Sequence, residues 1–168
     1  CPNGMQVEGQ PDISSIVSGV TASLALIEAA IDLHADTLLV HHGYFWRNEN
    51  ECIVGPKQKR IRLLLQNNIN LIAYHLPLDC HPELGNNVQL AKVLDFRPTG
   101  RFGENDLGWL GQMMNPGITT VGELADMIEK RLNRKPLLVG NPQQKLETIG
   151  WCTGAAQDLL PDAAMNNA

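Results

Sequence analysis

An α/β fold built on a parallel sheet is predicted by three observations. Short β-branched and apolar runs stand at residues 16–20, 37–40 and 69–74. Helical periodicity fills the intervals between them, and histidines gather where two of the runs stop.

The first run, Ile16-Val17-Ser18-Gly19-Val20, reads as a buried strand with Thr21 as the cap of the next element. Residues 23–33 place Leu24, Ile27 and Ile31 at spacings of three and four, which is one apolar face of a helix. Residues 37–40 complete a βαβ unit. An amphipathic helix over 57–66 with Ile61, Leu64 and Leu65 inward leads to the third strand at 69–74, and Asn86 or Asn87 is expected to cap a helix running through Leu94. From 96 to 117 the chain is rich in Gly, Pro and Asn, with only 107–114 resembling a strand, so a loop or small antiparallel excursion is expected. A helix resumes with Thr120 as cap, Glu123 at the capping-box position and Leu124, Ile128 and Leu132 on one face, and Leu137-Leu138-Val139 reads as a strand. Residues 148–160 then repeat the design of residues 16–27: an apolar strand, a threonine beside small residues, a helix start. The resulting organisation is an α/β lobe over 1–95, an irregular and helix-strand insertion over 96–147, and the start of a second lobe over 148–168 that breaks off early.

Composition narrows the function. The 168 residues suffice for one ordinary domain, and 43% hydrophobic with 18% charged residues is globular. The formal charge is −5 and the basic residues concentrate in Lys57-Gln58-Lys59-Arg60-Ile61-Arg62, so no broad cationic face for nucleic acid is expected. The four cysteines, Cys1, Cys52, Cys80 and Cys152, form no Cys-x-x-Cys pair, which argues against a zinc knot or a disulfide scaffold and fits free thiols in a reducing cytoplasm. No apolar run approaches the ~20 residues needed to cross a bilayer.

Chemistry centres on Leu38-Leu39-Val40-His41-His42-Gly43 and on His75-Leu76-Pro77-Leu78-Asp79. Ligands of open parallel sheets bind outside the carboxyl ends of the strands, where His41, His42, His75 and Asp79 are all expected. Imidazole with carboxylate suits zinc, manganese, iron and similar divalent ions. Adjacent histidines on a strand point to opposite sides, so His41 and His42 share an ion only where the backbone turns, for which Gly43 supplies freedom. His75 is open to a second role, as a general base or as the residue that orients a water. His81 and His34 read as bystanders, Asp32 and Asp36 as solvated helix-end charges, and residues 19–23 as a helix cap rather than a phosphate loop. Tyr44, Phe45 and Trp46 read as loop packing that is also able to stack on a planar ring. A metal-bearing cleft implies hydrolysis by activated water.

Together, Val40-His41-His42-Gly43-Tyr44-Phe45-Trp46, the His75 to Asp79 segment, Glu83-Leu84-Gly85-Asn86-Asn87 and the opening Pro2-Asn3-Gly4-Met5-Gln6-Val7-Glu8-Gly9 resemble a known family. It is the dinuclear-metal family of type 2 GTP cyclohydrolase I-like, or Nif-three-like, proteins, most of all its short bacterial members. The resemblance implies two related α/β lobes with mainly parallel strands around an interlobe metal cleft, assembled as a toroidal homohexamer. It implies two divalent metal ions per subunit, with His41, His42 and Asp79 as ligands and His75 lining the pocket, where its second role makes it the expected catalytic residue. The family completes its site with a His and a Glu from a later His-x-x-x-Glu segment, which this sequence does not contain, so the chain reads as an incomplete copy. The implied activity is hydrolytic opening of a nucleotide, the guanine imidazole ring of GTP with release of formate, or of a cyclic amide. The alternative is a metal-binding oligomeric scaffold or ligand-binding protein without turnover.

Overall fold

The aliphatic residues that carry these periodicities bury themselves in the first of two units, Cys1–Leu78 and Asp79–Ala168, in a computed structural model that describes residues 1–168. Four strands build the first unit: β1 (Gly4–Val7), β2 (Ile16–Thr21), β3 (Thr37–His42) and β4 (Asn70–Ala73), with helices α1 (Leu24–Asp32) and α2 (Gly55–Gln66) between the last three. The sheet order is β1-β4-β3-β2. Strands β2, β3 and β4 run parallel, as the βαβ pattern predicts, and β1 closes one edge antiparallel to β4. Leu38 and Val40 of β3 and Leu71 and Ala73 of β4 share one face, where they pack with Ile27 and Ala30 of α1 and Ile61 and Leu64 of α2. Period-two strands thus meet period-3.6 helices along a single apolar layer, each large side chain contributing about 2 kcal/mol on leaving water.

Local chemistry differs from the sequence expectation at several joints. Thr21 ends β2, and it is Ser23 that caps α1, its hydroxyl accepting from the Leu26 amide at 3.2 Å. β1 was not expected: Met5 and Val7 alternate with Gly4 and Gln6, but over only four residues, of which Val7 alone is buried, the pattern is too short to reveal a strand. Asp36 is no free solvated charge, since it accepts from the Ser14 hydroxyl at 2.6 Å, from the Ser14 and Ser15 amides at 2.7 and 2.8 Å, and from the Gln10 side chain. Those donors, the Ser14 hydroxyl foremost, hold its carboxyl below the usual range. Their stabilising effect is therefore present at neutral pH and lost as the pH falls through that lowered value.

A helical turn, α3 (Leu76–Asp79), follows β4, and the second unit then carries α4 (Asn86–Val93), β5 (Phe96–Phe102), β6 (Gly108–Met113), α5 (Val121–Leu132), β7 (Ile149–Trp151) and α6 (Leu160–Met165). Its three strands form an antiparallel sheet in the order β5-β6-β7, so parallel pairing is confined to the first unit. Pro98 and Gly100 concealed β5, and both sit at its register irregularity on an edge strand, where a missing N–H is tolerated. The core here joins Ala91, Leu94, Phe96, Trp109, Ile149 and Trp151.

Helix α4 is preceded by Gly85 without a side-chain cap, so neither Asn86 nor Asn87 caps it. Asn87 is instead fully buried: it accepts the Thr153 amide at 2.6 Å and donates to the Leu107 carbonyl at 3.1 Å. Helix α5 carries the predicted capping box of Thr120 and Glu123 and stops at Asn133 in the left-handed region. Residues 137–139 form no strand, because no neighbouring strand pairs with them, and Leu137 and Val139 are 90% and 87% exposed. β7 is followed by a 3-10 turn at Gln157–Leu159 that runs into α6, so a helix follows the strand as in the sequence pattern, by a longer connection than the one from β2 to α1. All four cysteines are free thiols, and no helix is long and apolar enough to cross a membrane.

Candidate metal centre

Parallel pairing positions the histidines. β3 extends through His41 and His42 rather than stopping before them, and Thr21 of β2 stands opposite His42 in register. The Ala22 amide donates to the His42 carbonyl at 2.9 Å and the Tyr74 amide to the Val40 carbonyl at 3.0 Å, so both flanking strands hold this end of β3. His75 follows β4 directly, its backbone amide donating to the Asn3 side chain at 2.9 Å.

Three imidazoles converge there. Ring centroids of His41 and His42 are 4.6 Å apart, of His41 and His75 4.8 Å, and of His42 and His75 5.4 Å. One ligand atom from each lies within 4.8 Å of the others, comparable to the ~4.2 Å between two nitrogens on opposite sides of an ion with bonds of ~2.1 Å. Strict alternation would have separated His41 from His42, and it is relaxed at this strand end. Gly43 is not in the left-handed region, so it does not serve the turn by an unusual φ as expected. Its requirement is space: a Cβ would lie 2.0 Å from the Gln6 Oε1 and 2.9 Å from the Ala73 Cβ.

The surroundings prepare these rings for a cation. His41 Nδ1 lies 3.0 Å from the Tyr74 carbonyl, which only accepts, so Nδ1 is the donor in this contact and Nε2 is the nitrogen that would ligate a metal. His42 Nδ1 lies 3.2 Å from the Thr21 hydroxyl, which either donates or accepts, so this contact orients the ring without fixing its tautomer. All three side chains are partly exposed, which leaves an entry path. The imidazoles of His41 and His42, with their rings oriented, fit a divalent ion such as zinc, iron or manganese, and His75 stands within reach of it.

Asp79 is not a member of this three-residue group; it is the first residue of the second unit, buried, with its Oδ1 accepting from the Asn86 side chain at 2.7 Å. His81 accepts the Glu83 and Leu84 amides at 3.2 and 3.1 Å and so shapes a turn. His34 takes a left-handed φ of 53° just beyond α1. Trp46 joins the cluster, its ring edge-on to His75 at 4.9 Å and 5.9 Å from His42, with its Nε1 bonded to the Gly43 carbonyl. Tyr44 packs as expected: its hydroxyl donates to the Ala22 carbonyl at 2.7 Å, and burial pushes its pKa up to about 12.

Gln6 escaped sequence reasoning. Its carboxamide accepts the Tyr44 amide at 2.7 Å and donates to the Tyr44 and Pro2 carbonyls at 3.2 and 2.8 Å, clamping the loop after the histidines. Only its place in the opening motif marked it.

A family model described as Duf34/NIF3 (NGG1p interacting factor 3) matches residues 1–168. The chain is 54% identical over 168 residues to a protein of Vibrio cholerae serotype O1 named GTP cyclohydrolase 1 type 2 homolog, covering 98% of this chain and 66% of that protein. A Pseudomonas aeruginosa protein of the same name is 50% identical, with 97% and 65% covered. Among solved structures, the protein ybgI, described as of unknown function, superposes with a TM-score of 0.90 at 46% identity over 99% of this chain and 66% of its own. The chain thus spans just under two thirds of the length of the curated relatives it matches.

Proposed function

The chain belongs to the Duf34/NIF3 family, and from that premise we propose that it is a metal-dependent hydrolase of the kind its relatives' name describes, opening a nucleotide heterocycle such as the guanine ring of GTP, or a related cyclic amide. The observation that carries this reading is the convergence of His41, His42 and His75 within 4.8 Å at the carboxyl end of a parallel sheet.

In this reading His41 and His42 are metal ligands and Asp79 supplies the carboxylate, with two divalent ions in the complete site and self-assembly of the family's hexameric kind. Such ions supply Lewis acidity and activation of water near neutral pH. The remaining work falls to the chain. Tyr74 and Thr21 hold the His41 and His42 rings in orientation through Nδ1. His75, anchored through its backbone by Asn3, moves the proton that the attacking water must give up and the opening ring must gain. Trp46 packs edge-on against His75 and so fixes one side of the cluster.

The test is formate release from GTP by the metal-loaded chain, compared with His75→Gln. Turnover in the parent protein, reduced by roughly 10²–10⁴-fold in the variant at unchanged metal content, is the expected result. Equal turnover in both, or metal lost from His75→Gln, would overturn the role given to His75; metal binding with no turnover of GTP or any other nucleotide would favour the scaffold reading.

A further inference from the structure

A cavity of about 360 Å³ opens beside His42, with Thr21, Tyr44, Trp46, Glu49 and Arg60 among its walls. That volume suits part of a small-molecule ligand.

Most of its polar groups are already engaged. The Thr21 hydroxyl faces His42 Nδ1, and the Tyr44 hydroxyl is bonded to Ala22 and stays protonated. Glu49 accepts the Trp46 amide at 2.9 Å and pairs with Lys57 at 3.3 Å. Burial would raise its pKa, but the Trp46 amide and Lys57 outweigh that and hold its carboxyl low, so it is ionised and already neutralised. Arg60 differs: it lies one helical turn beyond Lys57 on α2, is half-buried, and makes no hydrogen bond or ion pair within the chain. With Lys57 spent on Glu49, the cavity keeps one uncompensated positive charge. A guanidinium presents a planar fork of donors, matched to carboxylate or phosphate oxygens. Trp46 forms a wall shared by this cavity and the histidine cluster, so a ligand held here would reach both.

We propose that this cavity is the anchoring subsite for an anionic group of the substrate, a phosphate or a carboxylate, and that Arg60 is its recognition residue. The inference rests on the hydrolase reading for the word substrate, but the anion site itself does not. It assigns the two ends of the ligand: the reacting ring lies toward His41, His42 and His75, and the charged group lies toward α2.

The experiment uses the full chain freed of metal by chelation, so that an added anion cannot bind an ion instead. Inorganic phosphate and, in a separate arm, malonate are titrated while the Trp46 indole N–H is followed by NMR. Saturable movement of that signal by one of the two is expected, at least tenfold weaker in Arg60→Met and intermediate in Arg60→Lys, and the arm that responds identifies the anion. No saturable response to either anion, or equal affinity in Arg60→Met with the rest of its spectrum preserved, would overturn the proposal. Metal content is measured in parallel. An Arg60-dependent anion site in a chain that takes up no metal would sustain the subsite and remove the hydrolase; intact metal binding without an Arg60-dependent anion would do the reverse.

Discussion

His41→Ala and His42→Ala each abolish high-affinity divalent metal binding while leaving the fold intact. Loss of an outer orienting group alone costs metal sites 10–100-fold in affinity, so loss of a ligand costs at least that. Thr21→Val, which removes the hydroxyl 3.2 Å from His42 Nδ1, weakens binding by roughly tenfold and serves as the graded control. Stability is spared because the rings are only partly buried and the strand end is held by backbone pairs to Ala22 and Tyr74 that survive the substitutions. Elemental analysis after dialysis, with circular dichroism on the same samples, measures both. Unchanged stoichiometry in both alanine variants would refute the assignment.

The second large effect lies away from the histidines. Asn87→Ala destabilises the chain by about 2–4 kcal/mol, because at a fully buried position it takes from the Thr153 amide its side-chain acceptor and leaves the Leu107 carbonyl with only the weak Cys152 thiol as donor. The Asn87 side-chain amide also donates to the Cys152 sulfur at 3.9 Å. Burial pushes the Cys152 thiol up, so it is protonated at neutral pH and cannot take over the lost role as a charged group. The unfolding midpoint falls by roughly 5–12 °C. A shift under 1 °C in a thermal melt would show that water or repacking replaces the asparagine.

Legibility in the sequence depends on distance along the chain. α1, β3 and β4 were legible because each buries apolar residues at the proper period, and α5 because its capping box is local. β2 was legible only as a β-branched run, since it is an edge strand with Ile16 and Val20 exposed rather than the buried strand expected. β1 was hidden because its alternation of Met5 and Val7 spans only four residues and its pairing comes from β4, far away in sequence, and β5 because Pro98 and Gly100 interrupt its apolar pattern. Residues 137–139 misled in the opposite sense: apolar β-formers make a strand only where another strand offers its ladder. The histidines were legible as chemistry because few other roles explain three imidazoles at two strand ends. The groups that orient them were not. Gln6, Asn3 and Thr21 reach the site through register and loop closure, and Arg60 faces the cavity through the rotation of α2, none of which spacing encodes.

The central claim, that the end of β3 is a metal site, is tested most directly by anomalous diffraction from crystals of the chain equilibrated with manganese or zinc. The expected result is an anomalous peak about 2.0–2.3 Å from ring nitrogens of His41 and His42. Stoichiometric metal in solution, with anomalous peaks only at other side chains, would contradict it.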